Sequence, residues 1–351
     1  MSRPTRDAVL LRSPRGGVAL RLSRSSLLLG TTAWTLAALI AACSLTLGEY
    51  PISFTDAVSI LGGGGTLIER DVVIGDRLPR ALTGLGVGAA FALSGAILQR
   101  IAGNPLVSPD VIGINSGAAL GALIVLTVLG GSGLMTVVGA LAGALLTAAL
   151  ILAIAYKRGL NGFRLVLVGI GVAAMLGSGI SLLLIRADIY RALVAAAWLT
   201  GSLANRTTLH VTVIGLTLAV VVPTLLILAR QLRLLELGDD LAQTLSGRAG
   251  GGRTPLLLVA VVLAAMATAA AGPIGFVALV APQITRRILA ERQTGLAASA
   301  AVGALIVVSA DLAARLLFSP TELPVGVLTA ILGAPMLLYL LARANRIGHA
   351  G

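Results

Sequence analysis

The chain alternates between long, unbroken apolar runs and short stretches that carry nearly all of its charge. A run of about 20 apolar residues can cross the hydrocarbon core of a bilayer as a helix. Strands of a membrane barrel would instead alternate apolar and polar side chains, and these runs do not. The pattern therefore predicts an all-α polytopic membrane protein. Single spans are predicted near residues 26–47, 78–99, 165–185, 208–229, 295–314 and 324–342.

Two charge-free runs are too long for one crossing, so we predict that each folds back as a hairpin. Residues 111–156 would form one helix of roughly 70 Å, over twice the thickness of the bilayer core. Their natural turn is Gly130-Gly131-Ser132-Gly133. Residues 254–285 pose the same problem and are predicted to break at Gly272-Pro273. With both hairpins, the predicted spans number about ten.

The basic residues set the predicted orientation, because loops rich in Lys and Arg stay in the cytoplasm. The arginine-rich arm at residues 1–25 is therefore placed inside. Residues 48–76 and 186–206 are placed outside, the second with a short surface helix. An even number of spans between 26 and 345 then leaves both termini, including the tail at 346–351, on the cytoplasmic side.

Composition agrees with this assignment. Of the 351 residues, 57% are hydrophobic and 11% are charged, and the mean hydropathy is +0.99. A soluble domain carries about 25% charged residues. The net charge of +12 would also suit a nucleic-acid-binding protein. The arginines flank the apolar runs, however, so the lipid membrane is predicted as the partner and nucleic acid is not.

Several kinds of chemistry are missing from the sequence. A Walker A loop ends in Lys followed by Ser or Thr, whereas the only lysine, Lys157, precedes Arg158. His210, His349 and Cys43 lie far apart and show no metal-site spacing, so we predict no metal ligands and no catalytic residues. The predicted span centres hold no ionisable residue, which argues against an ion-coupled carrier; Asp110 and Asp311 lie nearest to them, at span ends.

Glycines recur at intervals of four residues in the predicted spans. Small residues at that spacing let membrane helices approach closely. Close helix crossings are therefore expected at Gly84 and Gly88, at Gly113, Gly117 and Gly121, and at Gly139 and Gly143.

Several motifs occur together and in order. The first is Arg77-Leu78-Pro79-Arg80, and the second is Asn104-Pro105-Leu106-Val107-Ser108-Pro109. Gly272-Pro273-Ile274-Gly275-Phe276 and then Glu322-Leu323-Pro324-Val325-Gly326 follow. In this arrangement the chain resembles the FecCD family of ABC importer permeases over about residues 30–345. Arg186-Ala187-Asp188 with Trp198-Leu199-Thr200-Gly201 looks more like the ferric-siderophore branch, including enterobactin-type permeases. Gln283 departs from many relatives, which carry His there.

The resemblance implies a permease of ten helices with the type II ABC importer fold, in the bacterial cytoplasmic membrane. It also implies a second permease subunit, as homodimer or heterodimer, two ATPase subunits that bind ATP and Mg, and an external substrate-binding protein. No cofactor is expected on this chain itself. Iron–siderophore import is the implied function. Cobalamin or haem import by the same machine, an ion-coupled secondary carrier and a membrane enzyme stay open as alternatives.

The resemblance also carries site residues onto this sequence. It implies that Arg77, Arg80 and Arg315 dock acidic residues of the binding protein, while anchoring of helix ends at lipid headgroups is the alternative. It implies that residues 234–247 couple to the ATPase, where a solvated acidic turn is the alternative. The coupling residues are Glu236, Leu237, Gly238, Asp239, Asp240, Ala242 and Gly247. Helix breaks, which either shape the pathway or only interrupt helices, are expected near Pro105, Pro109, Gly272, Pro273 and Pro282.

Overall fold

A computed structural model describes residues 8–12, 19–155, 162–235, 253–289, 295–317 and 321–348. Across these ranges the protein is almost entirely helical. The exception is an antiparallel ribbon of β1 (Ala8–Arg12) and β2 (Ala19–Ser23). In this ribbon Ala8 pairs with Ser23 and Arg12 pairs with Ala19. The ribbon lies in the predicted N-terminal arm, so the all-α prediction is confirmed for the membrane-spanning part that follows.

The helices run through the chain in one series. They are α1 (Arg24–Thr46), α2 (Phe54–Leu61), α3 (Leu67–Arg70), α4 (Leu78–Ala102), α5 (Ile114–Leu123), α6 (Leu134–Ala155), α7 (Gly162–Arg186), α8 (Ile189–Leu199), α9 (Thr208–Leu235), α10 (Arg253–Ala271), α11 (Val277–Leu289), α12 (Leu296–Leu316) and α13 (Val325–Gly348). Two π-helical segments extend this series: Asp71–Arg77 leads into α4, and Ile124–Leu129 continues α5.

The predicted spans map onto ten of these elements in the described part of the chain. By length and composition, seven helices are able to cross a membrane alone: α1, the helix ending in α4, α6, α7, α9, α10 and α12. The α5 element, Ile114–Leu129, is a shorter apolar helix, as is the apolar part of α13, Val325–Leu338. Helix α11 has 13 residues. The short helix predicted in 186–206 is found as α8.

Both predicted hairpin turns are confirmed. Gly130 and Gly133 adopt φ of 65° and 56° between α5 and α6. Such left-handed backbone is accessible to glycine at little cost. The second break covers residues 272–276, where Gly272 has φ of 77°.

The structure gives two boundaries that the charge pattern did not. The charge-free run starts at residue 111, and its first helix begins at Ile114, because Gly113 adopts a left-handed φ of 87°. Residues 103–113 are therefore non-helical. The segment 48–76, expected only as a polar outer stretch, contains α2, α3 and a π-helical segment that runs without interruption into α4.

Helix α4 forms the centre of the bundle. Its side chains are nearly all buried, and it packs against α1, α9, α10, α11 and α12. The crossing with α12 is close, because a Cβ on Gly88 would overlap the Gly303 carbonyl and a Cβ on Gly303 would overlap the Gly88 carbonyl. A Cβ on Gly95 would overlap the carbonyl of Ala278 in α11. Small residues thus set the distance from α4 to two neighbours.

The predicted glycine crossings are also found between α5 and α6. Added Cβ atoms on Gly117 and Gly121 would overlap Thr147 and the Gly139 carbonyl, and one on Gly143 would overlap the Gly117 carbonyl. Helix α7, by contrast, exposes apolar side chains such as Leu167, Ile170 and Met175. Exposed apolar faces of this kind suit contact with lipid or with another membrane subunit.

Candidate functional site

The three predicted docking residues, Arg77, Arg80 and Arg315, meet at one end of the bundle, where α4 and α13 begin and α12 ends. Arg80 is the best-connected of them. Its Nε lies 3.1 and 3.0 Å from the two carboxylate oxygens of Asp311, and its Nη2 lies 3.0 Å from Asp311 Oδ1. This fork-shaped pairing is the strongest geometry that Arg and a carboxylate adopt. The remaining nitrogen, Nη1, donates to Glu322 Oε2 at 2.8 Å.

Arg77 and Arg315 use mainly backbone carbonyls. Arg77 donates to Leu45 O at 2.8 Å and to Tyr50 O at 2.7 Å, at the end of α1. Arg315 donates to Ser44 O at 3.1 Å, and its Nε lies 4.0 Å from Asp311 Oδ2. These carbonyls lie at and just beyond the last turn of α1, where helical partners are lacking. The two arginines therefore tie the end of α1 to α4 and α12.

A fourth arginine adjoins this group. Arg206, in the loop before α9, approaches His210 Nε2 with Nη1 at 3.3 Å, and its buried Nε has no hydrogen-bond partner. Burial, and then the nearby charge of Arg80, lowers the pKa of Arg206 to about 10. The arginine cluster, as we call Arg77, Arg80, Arg206 and Arg315 together, is thus dense in positive charge and partly shielded from water.

The carboxylates of this site differ in exposure. The side chains of Arg80 and Asp311 are 5% and 8% exposed, whereas that of Glu322 is 47% exposed. The acid partners were not predicted from sequence. Asp311 had a local signal, because it lies four residues before Arg315 on one helix. No local sequence pattern beyond the motif containing Glu322 indicated its role, because it contacts Arg80 only through the tertiary fold.

The predicted helix breaks form a second site. Gln283 of α11 donates through Nε2 to Gln99 Oε1 at 2.6 Å and to Pro105 O at 3.1 Å. Asn115, at the start of α5, lies 3.4 Å from the Thr268 hydroxyl near the end of α10. The Asp110 carboxylate accepts from the backbone N–H of Phe276. Pro105, Pro109, Gly272 and Pro273 therefore belong to two non-helical segments, 103–113 and 272–276, that pack together.

Pro282 does not break its helix, which corrects the prediction for that residue. It lies inside α11, which continues to Leu289. A proline cannot donate to the carbonyl four residues earlier, here that of Ala278. Gln99 Nε2 instead approaches Ala278 O at 3.5 Å and Leu279 O at 3.3 Å. The side chain of α4 thus compensates for the missing backbone donor, and the helix continues.

The predicted coupling residues cannot be placed. Helix α9 carries the chain to Leu235, and Glu236, Leu237, Gly238, Asp239, Asp240, Ala242 and Gly247 lie outside the described residues. Within the described ranges, no group of three or more His, Cys, Asp or Glu side chains is arranged to hold a metal ion.

The chain matches the FecCD transport family over residues 36–343. It is 40% identical over 314 residues to the ferric enterobactin transport system permease protein FepG of Escherichia coli (strain K12), covering 88% of this chain and 95% of that protein. It is 37% identical over 311 residues to the iron(3+)-hydroxamate import system permease protein FhuG of Bacillus subtilis (strain 168), covering 86% of this chain and 93% of that protein.

A solved structure has a similar fold. A metal-chelate type ABC transporter in an inward-facing conformation superposes with a TM-score of 0.77 at 29% identity, covering 90% of this chain and 98% of that one. The helical bundle, the ordered motifs and these matches lead to one assignment: the chain belongs to the FecCD transport family.

Proposed function

We propose that this chain is the membrane-spanning permease subunit of an ATP-driven importer of iron–siderophore complexes. The observation that carries the proposal is the 40% identity to a ferric enterobactin permease over 95% of that protein's length. Relatives that transport hydroxamate and citrate chelates of iron support the class of cargo. In this proposal the protein lies in the bacterial cytoplasmic membrane with both termini in the cytoplasm.

The residues of this chain support a passive transport pathway that partner subunits drive. In the arginine cluster, Arg80 is paired with acids, and Arg77 and Arg315 are bonded to carbonyls at one end of the bundle, which leaves little to couple ion flow. The segments 103–113 and 272–276 place non-helical backbone inside the bundle, next to helices that carry the buried amides of Gln99, Asn115 and Gln283. Irregular backbone inside membrane proteins is tolerated where it is buried or lines a cavity. These segments are our candidates for the pathway.

The energy would come from two partner subunits that bind ATP and Mg. The sequence holds no Walker A lysine, since Lys157 precedes Arg158, so hydrolysis belongs to a separate chain. Residues 234–247 would dock into the ATPase. Closure of the ATPase pair on ATP would then move this segment and change which side of the pore is open. A second permease subunit, identical or related, would complete the pore.

The external binding protein would dock at the end that carries the arginine cluster. Arg77, Arg80 and Arg315 provide positive charge there, and acidic residues of the partner would supply the complement. Charge complementarity of this kind mainly sets docking register and association rate. Anchoring at lipid headgroups is the alternative role for these arginines. It predicts that charge reversal harms folding and leaves docking of correctly folded protein unchanged.

The test is uptake of radiolabelled iron, supplied as a panel of ferric siderophores, in cells with and without this gene. We expect deletion to abolish uptake of at least one chelate. Wild-type protein should restore it, whereas Arg77→Glu with Arg80→Glu should not. A matched control is Arg70→Glu with Arg186→Glu, two exposed arginines at the same predicted side but outside the cluster.

Controls decide between the outcomes. Membrane levels of each variant must match, because Arg80 is buried and its reversal can prevent folding. If uptake of every chelate survives deletion in cells without a redundant importer, the siderophore assignment is wrong. Labelled cobalamin and haem, tested in the same cells, would then identify the cargo.

A further inference from the structure

The arginine cluster is not an open surface, because Glu322 lies over its central member. Glu322 belongs to the segment between α12 and α13, and the N–H of its neighbour Leu323 lies 3.5 Å from Ala314 O. Its carboxylate accepts from Arg80 Nη1 at 2.8 Å. Any acidic group that approaches Arg80 from solvent meets this half-exposed carboxylate first.

The two acids on Arg80 differ in how easily they can be replaced. Asp311 is buried and takes both Nε and Nη2, so its departure would leave charges unpaired away from water, which is strongly unfavourable. Glu322 makes one contact and its side chain is 47% exposed. Arg80 is buried, but water reaches the Glu322 carboxylate and screens this contact, so the pair is weaker than the fully buried Arg80–Asp311 pair. Glu322 can therefore be replaced on Arg80 by another carboxylate at lower cost than Asp311, which stays in place.

The cluster has capacity for a further acid. Four arginines share this end with three carboxylates: Asp311 and Glu322 form ion pairs with them, and Asp76 interacts electrostatically with Arg77 and Arg315. The Nε atoms of Arg206 and Arg315 are buried without a hydrogen-bond partner. Buried donors without partners are costly. A carboxylate that arrives at Arg80 would therefore enter a site that has unused donors and a net positive charge.

We propose that Glu322 is a placeholder on Arg80, which a carboxylate of the external binding protein replaces when the two proteins dock. This rests on the docking role in the proposed function. Glu322 keeps Arg80 paired while the importer is free, and it competes with the partner's acid for the same Nη1. The strength of the internal contact thus sets part of the docking affinity.

The experiment measures the dissociation constant of the full importer in lipid nanodiscs for the binding protein that supports uptake with it. The variant is Glu322→Gln, which keeps the size of the side chain and removes its charge. An internal pair that occupies Arg80 multiplies the apparent affinity by the fraction of molecules in which Arg80 is free. We therefore expect Glu322→Gln to tighten binding by about threefold to sixfold. The matched control, Glu49→Gln, removes an exposed acid at the predicted outer side and should change the constant by less than about twofold.

The outcomes separate this inference from the docking proposal. Arg80→Lys keeps a positive charge facing Asp311 but loses the guanidinium fork, so it should weaken docking by at least about tenfold. If Arg80→Lys weakens docking while Glu322→Gln leaves it unchanged or weaker, docking stands and the placeholder role is wrong. Equal tightening by Glu322→Gln and Glu49→Gln would reduce the effect to net charge and would also overturn it. If Arg80→Lys has no effect, the docking proposal itself fails.

Discussion

Burial determines what each arginine of this protein can do. Arg77, Arg80 and Arg315 were selected from the family resemblance, and the fold gathers them at one end of the bundle. Their donors are nevertheless used within the chain, on Asp311, Glu322 and the carbonyls that end α1. The residue types predicted a charged site. Which donors of Arg80 remain free, however, depends on acids more than 200 positions away in the sequence.

Asp311→Asn is expected to destabilise the folded protein by about 3–5 kcal/mol. The change leaves the Arg80 guanidinium buried without its charged partner. The measurement is the free energy or midpoint of unfolding of the purified protein in detergent. Asp188→Asn is the matched control, because Asp188 pairs with Arg191 at 3.0 Å with both side chains about half exposed. That pair should contribute less than about 1 kcal/mol, so similar losses in both variants would contradict the argument.

Helices that contain prolines or end inside the bundle need side chains to replace lost backbone bonds. Gln99 does so for α11, where Pro282 leaves the Ala278 carbonyl without its usual donor. Arg191 does so at the far end of α5, where its Nη1 donates to Thr127 O at 2.7 Å and holds α8 against that end. The sequence indicated where the breaks lie. It did not indicate that Pro282 would be tolerated, because the compensating amide comes from another helix.

Gln283 joins α11 to α4 and to the segment 103–113, so its amide should be hard to replace by an apolar side chain. Gln283→Leu would leave Gln99 Oε1 and Pro105 O without this donor, and we expect a loss of about 1–3 kcal/mol. Gln283→His keeps a ring N–H that can donate, and should lose less than half as much. Thermal unfolding of the two variants tests this, with uptake as a second readout. Equal stability of the Leu and His variants would show that the hydrogen bonds are unimportant.

Glycine spacing can be tested at the crossing of α4 and α12. Gly88→Ala places a methyl group against the Gly303 carbonyl, and overpacking of this kind costs about 1–3 kcal/mol. Gly177→Ala in α7 is the control, because a Cβ there meets nothing within 4 Å. That change should be neutral or slightly stabilising, since Ala favours helix over Gly. Melting temperatures of the two variants provide the comparison. If Gly177→Ala proved the more harmful, close packing would not be the reason for Gly88.

At the scale of the whole molecule, a central buried helix surrounded by shorter and interrupted ones is suited to a subunit moved by partners. Helix α4 is fixed by close crossings to α11 and α12. The segments around it contain the breaks, the surplus arginines and the exposed apolar faces. The arginine cluster holds helix ends together at one end of the described bundle.

An importer of this kind should depend on ATP and not on the proton gradient. Uptake of the ferric chelate is expected to persist when the gradient is dissipated while cellular ATP is held constant. It should fall to background when the partner ATPase is inactivated. Transport lost in the first condition, and retained without any ATPase partner, would support an ion-coupled carrier instead. The measurement is the initial rate of radiolabelled iron uptake under both conditions.

Sequence by itself determined the class of the protein, the order of its spans and the positions of its turns, because these depend on local composition: apolar run length, flanking charge and glycine at left-handed positions. It also identified the glycines that allow close crossings and the family motifs. Only the tertiary structure decided the partners of Arg80, the start of α5 after Gly113 and the continuity of α11 through Pro282. These features depend on contacts between residues far apart in the chain. Local patterns carry no information about which distant side chain pairs with a buried donor or acceptor.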